Sequence, residues 1–180
     1  MNYFRHVGSW PALAGAVCAL LAGCGESKKE IASVPPSAIG AWEAAPPFPV
    51  TGADPAPGGG CNFDSIDGKD RDLPLISLTR SRPLNVVGWA AIAVAEGVLP
   101  VDVALALKAS TGARRYAAVT REQREDVARY FGKADLIGAG LRSDIAMADV
   151  APGKYRLEIV MQFDGKFYVC GIAKEVEVAP

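Results

Sequence analysis

Lys154-Tyr155-Arg156-Leu157-Glu158-Ile159-Val160-Met161-Gln162-Phe163, bounded by Pro152-Gly153 before it and Asp164-Gly165 after it, is the stretch that decides the fold. Tyr155, Leu157, Ile159, Met161 and Phe163 alternate with Lys154, Arg156, Glu158, Val160 and Gln162, the period of two expected of a strand buried on one face. Asp-Gly is a tight hairpin signal, so the chain should turn directly into another strand. That strand is Phe167 to Val178, with Tyr168, Cys170, Ile172, Val176 and Val178 on one face and Glu175 and Glu177 on the other.

Further upstream the pattern repeats. Val101, Val103, Leu105 and Leu107 alternate with Asp102, Ala104, Ala106 and Lys108. Leu84 to Val94 is apolar on both faces and reads as an inner strand, with Trp89 as its largest core residue. One helix is expected from Arg121 to Phe131, on a capping box of Thr120 and Gln123, a Val127–Phe131 pair at i and i+4, and a stop at Gly132. Leu136 to Met147 suggests another strand, with Gly138 and Gly140 marking a bulge or a close backbone approach. Strands near Phe63, Leu75, Val87, Leu105, Tyr116, Leu141, Leu157 and Val169 give about seven or eight in all. One-faced strands must bury that face against a second layer, so a mainly β, antiparallel two-sheet sandwich with one short α-helix is the natural closure.

Three stretches carry a resemblance: Val87-Gly88-Trp89-Ala90, Arg124-Glu125-Asp126-Val127-Ala128 and Pro152-Gly153-Lys154-Tyr155. Together they resemble a bacterial Ig-like β-sandwich domain with a GWA, RxDVA, PGxY pattern, found in exported proteins and beside cell-envelope polysaccharide enzymes. Glu125 stands where that pattern has proline. The resemblance implies an accessory module with no catalytic residues to carry over.

The chain's start has a different character. Arg5 is the one basic residue before an uncharged run from Val7 to Gly23, too short and too interrupted by Ser9 and Pro11 for a spanning helix. Residues 1–23 therefore read as a signal peptide. Leu21-Ala22-Gly23-Cys24 resembles the lipobox of bacterial lipoproteins, which implies lipid attachment at Cys24; the alternatives are an ordinary secretory signal or an uncleaved anchor. At about 0.8 kcal/mol per buried CH₂, the several acyl chains that the resemblance implies would hold the protein on its membrane. Gly25, in place of the aspartate of the inner-membrane retention pattern, implies the outer membrane as the default.

Residues 24–60 are rich in Pro and end in Gly58-Gly59-Gly60, which reads as a tether to a domain at 61–180. Lys28 and Lys29 are linker charge or a contact for anionic headgroups. Trp42 and Phe48 are its two sticky points, for a partner or for the domain's own surface. With Cys18 removed in the signal and Cys24 lipidated, Cys61 and Cys170 remain, and an oxidising compartment favours their pairing.

Composition excludes much. The formal net charge is −1 over 180 residues, so nucleic acid is not a partner. The one histidine, His6, leaves with the signal, which removes imidazole-based triads, Cys-His pairs and HExxH zinc sites. No cofactor motif is present, and no phosphate-cradling loop follows Gly60. Asp64, Asp67, Asp70 and Asp72 form the one carboxylate cluster, either acidic turn residues, a Ca²⁺ loop, or a glycosidase pair. Arg114, Arg115 and Tyr116, with Arg121 and Arg124 of the helix, form a candidate cationic aromatic surface for a partner; the plainer alternative is a solvated face on which Arg124 and Asp126 pin the helix. The reading is a non-enzymatic envelope lipoprotein, an accessory or binding module for a protein or polysaccharide. A carboxylate-dependent glycan hydrolase and an inhibitor of an envelope enzyme are the alternatives.

Overall fold

The computed structural model describes residues 39–50, 54–70 and 72–180; residues 1–23, read as a signal peptide, and Cys24, Lys28 and Lys29 lie outside them. The strands are β1 (Ala56–Pro57), β2 (Gly60–Ile66), β3 (Lys69–Asp70), β4 (Ile76–Leu78), β5 (Leu84–Ala91), β6 (Asp102–Ala109), β7 (Arg114–Ala118), β8 (Thr120–Glu122), β9 (Gly140–Ile145), β10 (Gly153–Phe163) and β11 (Lys166–Val178). One α-helix, α1 (Glu125–Phe131), and a 3-10 helix (Ala134–Ala139) lie between β8 and β9. Seven of these strands run five residues or more, which are the strands that the alternation makes visible.

The strands form two packed sheets. One has the order β3-β2-β5-β9-β8 and the other β1-β11-β10-β6-β7, with β4 also paired to β11. Taking β2, β5, β9 and β8 as A, B, E and D, and β11, β10, β6 and β7 as G, F, C and C′, the order is that of an immunoglobulin-type sandwich. The long strands pair antiparallel. Two short pieces depart from this: β1 and β4 both lie parallel to β11 and cover its outer edge. Asp164-Gly165 forms the expected two-residue hairpin, both at positive φ, with Phe163 paired to Lys166. At the entry to β10 the Tyr155 hydroxyl donates to the carbonyl of Ala151 at 2.9 Å. This is the tyrosine corner of such sandwiches and gives the PGxY stretch a structural role.

Leu157, Ile159 and Met161 of β10 meet Phe63, Val86, Leu105 and Leu141 in the core between the sheets. Burying each such side chain stabilises the fold by about 1.5–3 kcal/mol. Cys61 and Cys170, 109 positions apart in sequence, are joined in a disulfide that links β2 of one sheet to β11 of the other. A closed loop of that size contributes at most about 4.7 kcal/mol through the unfolded chain's lost entropy.

Four expected features are placed differently. Residues 39–50 and 54–60, read as tether, pack on the sandwich as a strap. Gly40 pairs with Ile145 of one sheet and Glu43 with Tyr116 of the other, while Trp42 between them is buried in the core. Phe48 then lies on the outer face of the second sheet, over Ala104, Ala106 and Val160 and edge-on to Phe167 at 5.9 Å. Two alanines on β6 leave the shallow place that the ring fills. The domain therefore begins before Cys61.

The helix starts later than expected. Thr120–Glu122 is strand β8, paired with Arg142, Leu141 and Gly140 of β9. Arg124 occupies the N-cap without a side-chain cap bond, so the Thr120–Gln123 box does not form; Gly132 closes the helix at φ 65° as expected. Likewise the first half of the expected 136–147 strand is the 3-10 helix, and only Gly140–Ile145 is extended.

Trp89 is not in the inter-sheet core. It is half-buried on the outer face of β5, in a satellite cluster with Val127, Leu136 and Ala139. The helix layer covers that face, which is why β5 is apolar on both sides.

Candidate functional site

The outer face of the first sheet carries an open pocket of about 590 Å³ beside the disulfide, between α1, β2 and β5, with Ile172 of β11 at its margin. Trp89 and Phe131 stand edge-to-face at 5.3 Å, and Tyr130 meets Phe131 at 4.8 Å with the rings perpendicular. Because Val127 and Phe131 turn inward, Tyr130 turns outward, and it is 83% exposed. The result is an aromatic wall with one ring standing clear of the surface.

The opposite part of the lining is polar. A bulge between Phe63 and Ser65 of β2 changes the register, leaving Phe63 in the core and Asp64 on the pocket side. Arg124 donates from Nε and Nη2 to the two carboxylate oxygens of Asp126, at 2.7 and 2.6 Å. Its Nη1 donates to Asp64 and, at 3.4 Å, to the carbonyl of Gly88. Asn62 Nδ2 in turn donates to Asp64 at 3.2 Å. Two glycines make this crossing possible. A Cβ at Gly140 would lie 2.6 Å from Arg124 Cγ, and one at Gly88 would lie 2.4 Å from the Asn62 carbonyl oxygen. The GWA and RxDVA stretches thus meet at one place.

The hydrogen bonds from Arg124 hold the Asp126 carboxyl down at about 2, with desolvation opposing. Hydrogen bonding to Asp126 raises the Arg124 guanidinium, burial opposes it, and Asp64 adds to the rise. A carboxylate held that low stays ionised near neutral pH and does not serve as a proton-donating acid.

The sequence-derived candidates fall in separate places. Arg114, Arg115 and Tyr116 lie on β7 of the second sheet and are occupied by the protein's own strap. Arg114 reaches Asp54 of the strap and the buried Glu158, both at 2.9 Å. Burial by itself would lower the Arg114 guanidinium, but Glu158 above all, with Tyr116 and Asp54, opposes it and the net direction is up. Arg115 donates to the Trp42 carbonyl at 2.7 Å and to that of Asp149 at 2.9 Å. Tyr116 is buried, pairs through its backbone with Glu43, and burial raises its phenol. Arg121 is on β8 and donates twice to the Gly138 carbonyl, at 3.2 and 2.6 Å; burial lowers it, with Asp102 opposing. These five side chains do not form one cationic surface, and only Arg124 reaches the pocket.

The aspartate cluster also disperses. Asp64 lies in the pocket network, and Asp67 accepts from Arg82 at 2.5 Å with Lys69 at 3.9 Å. Asp70 is in β3, and Asp72 follows it. Among the described residues no group of three or more His, Cys, Asp or Glu side chains is placed to hold a metal ion. Also among them, no helix is long and apolar enough to cross a membrane.

Asn62, Tyr130 and Ile172 are pocket residues that the sequence reading leaves out. Tyr130 carried a signal, since an i, i+4 pair at Val127 and Phe131 puts residue 130 outside. Comparison of the chain with family models, curated proteins and solved structures finds no match.

Proposed function

We propose that this chain is a lipid-anchored, non-catalytic module of the bacterial cell envelope that holds a protein or polysaccharide partner near the membrane. The observation that carries the binding part is the pocket: an exposed Tyr130 and a half-buried Trp89 facing a preorganised Asp64–Arg124–Asp126 network. Rigid aromatic walls with a few fixed polar groups are what a recognition site needs. The anchoring part rests on Leu21-Ala22-Gly23-Cys24, and the non-catalytic part on a processed chain without histidine and on carboxylates tied up by arginine.

Growth with an alkyne-tagged fatty acid tests the anchor: label should enter the wild-type chain and fractionate with the outer membrane, and Cys24→Ser should abolish it. Chemical crosslinking of the anchored chain, followed by capture, tests the holding role. One stable envelope partner supports the reading. Turnover of cell-wall glycan by the purified chain would overthrow it.

A further inference from the structure

We infer that the pocket beside Trp89 takes a neutral, hydroxyl-rich glycan. This inference rests on the binding-module reading and names the partner's chemistry. Each side of the pocket has something different left to offer. The aromatic side presents the rings of Tyr130, well exposed, and of Trp89, partly so. The apolar C–H face of a pyranose packs on such rings, whose quadrupole is negative at the face.

The polar side decides the charge. Among the described residues Arg124 is the one basic side chain in the lining, set against Asp64 and Asp126. Nε, Nη1 and Nη2 of its guanidinium are all engaged, on those two carboxylates and the Gly88 carbonyl. An anionic ligand would meet two negative carboxylates and a cation already neutralised by them. Sugar hydroxyls, by contrast, donate to carboxylate oxygens, and Asp64, which accepts one bond from Arg124 and one from Asn62, keeps lone pairs to offer. Asp126 is the accessible acceptor, with 65% of its side chain exposed. A volume of about 590 Å³ lies within the usual range for small-molecule sites.

The test titrates the purified full chain in detergent with chitotetraose and cellotetraose as neutral probes and tetragalacturonate as the anionic one, by calorimetry and tryptophan fluorescence. The inference expects a neutral probe to bind with Kd below about 1 mM, unaffected by added salt, and tetragalacturonate to bind at least about tenfold more weakly, a difference of about 1.4 kcal/mol. Tyr130→Ala should weaken binding at least tenfold with an unchanged melting temperature, and Tyr130→Phe should retain most of it. No binding of either neutral probe, preference for the anionic one, or an inert Tyr130→Ala would each overturn the inference. Recovery of a protein crosslinked at the pocket, without sugar binding, would overturn the glycan while leaving the module reading intact. Loss of the membrane anchor would strike that reading alone.

Discussion

Glu43 and Tyr116 exchange both backbone hydrogen bonds, each at 2.7 Å. Three residues earlier Gly40 is bonded to the other sheet through Asp144 and Ala146, at 2.8 and 2.9 Å. The strap therefore stitches the two sheets together along one side of the sandwich, and Trp42 fills the space between the stitches. Removing that ring should cost about 3–5 kcal/mol, as for other buried aromatic-to-alanine changes. The indole Nε1 is buried and has no hydrogen-bond partner among the described residues, so Trp42→Phe, which also removes that donor, should cost less, about 1–3 kcal/mol from the smaller cavity it leaves. Urea unfolding of the two variants checks both values. A chain trimmed to begin at Cys61 should melt well below one that begins at Pro35.

Arg114 and Glu158 form an ion pair on the face of the second sheet, with side chains 10% and 5% exposed. Arg114→Met leaves the Glu158 carboxylate buried without its cation, and the expected loss is about 3–5 kcal/mol. Because Asp54 on the strap shares the same arginine, the variant should also be cut faster by protease within residues 44–55. Replacing Glu158 and Arg114 together by apolar residues should recover most of the stability, which a double-mutant cycle would read directly.

Asp126 supplies a pH dependence. Its folded value of about 2 lies below the ordinary aspartate value, so its contribution is fully present above about pH 5 and is lost as the pH falls toward 2. Melting temperature should decline across that interval, and Asp126→Asn should flatten the decline while lowering the plateau near neutral pH. An unchanged acid slope would separate the carboxylate from the network.

What was legible in the sequence was what local periodicity encodes. The core face of β10 was legible because Leu157, Ile159 and Met161 recur at every second place, but its other face, expected to be open, is also buried at Glu158 and Val160, the latter under Phe48 of the strap. Gly132 announced the end of α1. The start of the helix was hidden, because pairing of Thr120–Glu122 with β9 outweighs a local capping preference. Trp89 was misplaced for a similar reason: a strand apolar on both faces does not say which layer each face meets. The strap was hidden by its own composition, since proline-rich sequence without a period looks like a linker unless Trp42 and Phe48 are given weight. Half the pocket was equally out of reach, as Asp64 and Arg124 are 60 residues apart and meet only through the fold.

The pocket face as the point of partner contact is the central claim, and in-cell photocrosslinking tests it most directly. A photoreactive phenylalanine analogue is placed in the anchored full chain at Tyr130, or at Val101, a 68% exposed residue bonded to β10 of the other sheet. The account predicts a discrete high-mass adduct from position 130, none from position 101, and loss of the adduct when Asp126→Ala is added. Adducts of equal yield from both positions, or from 101 alone, would contradict it.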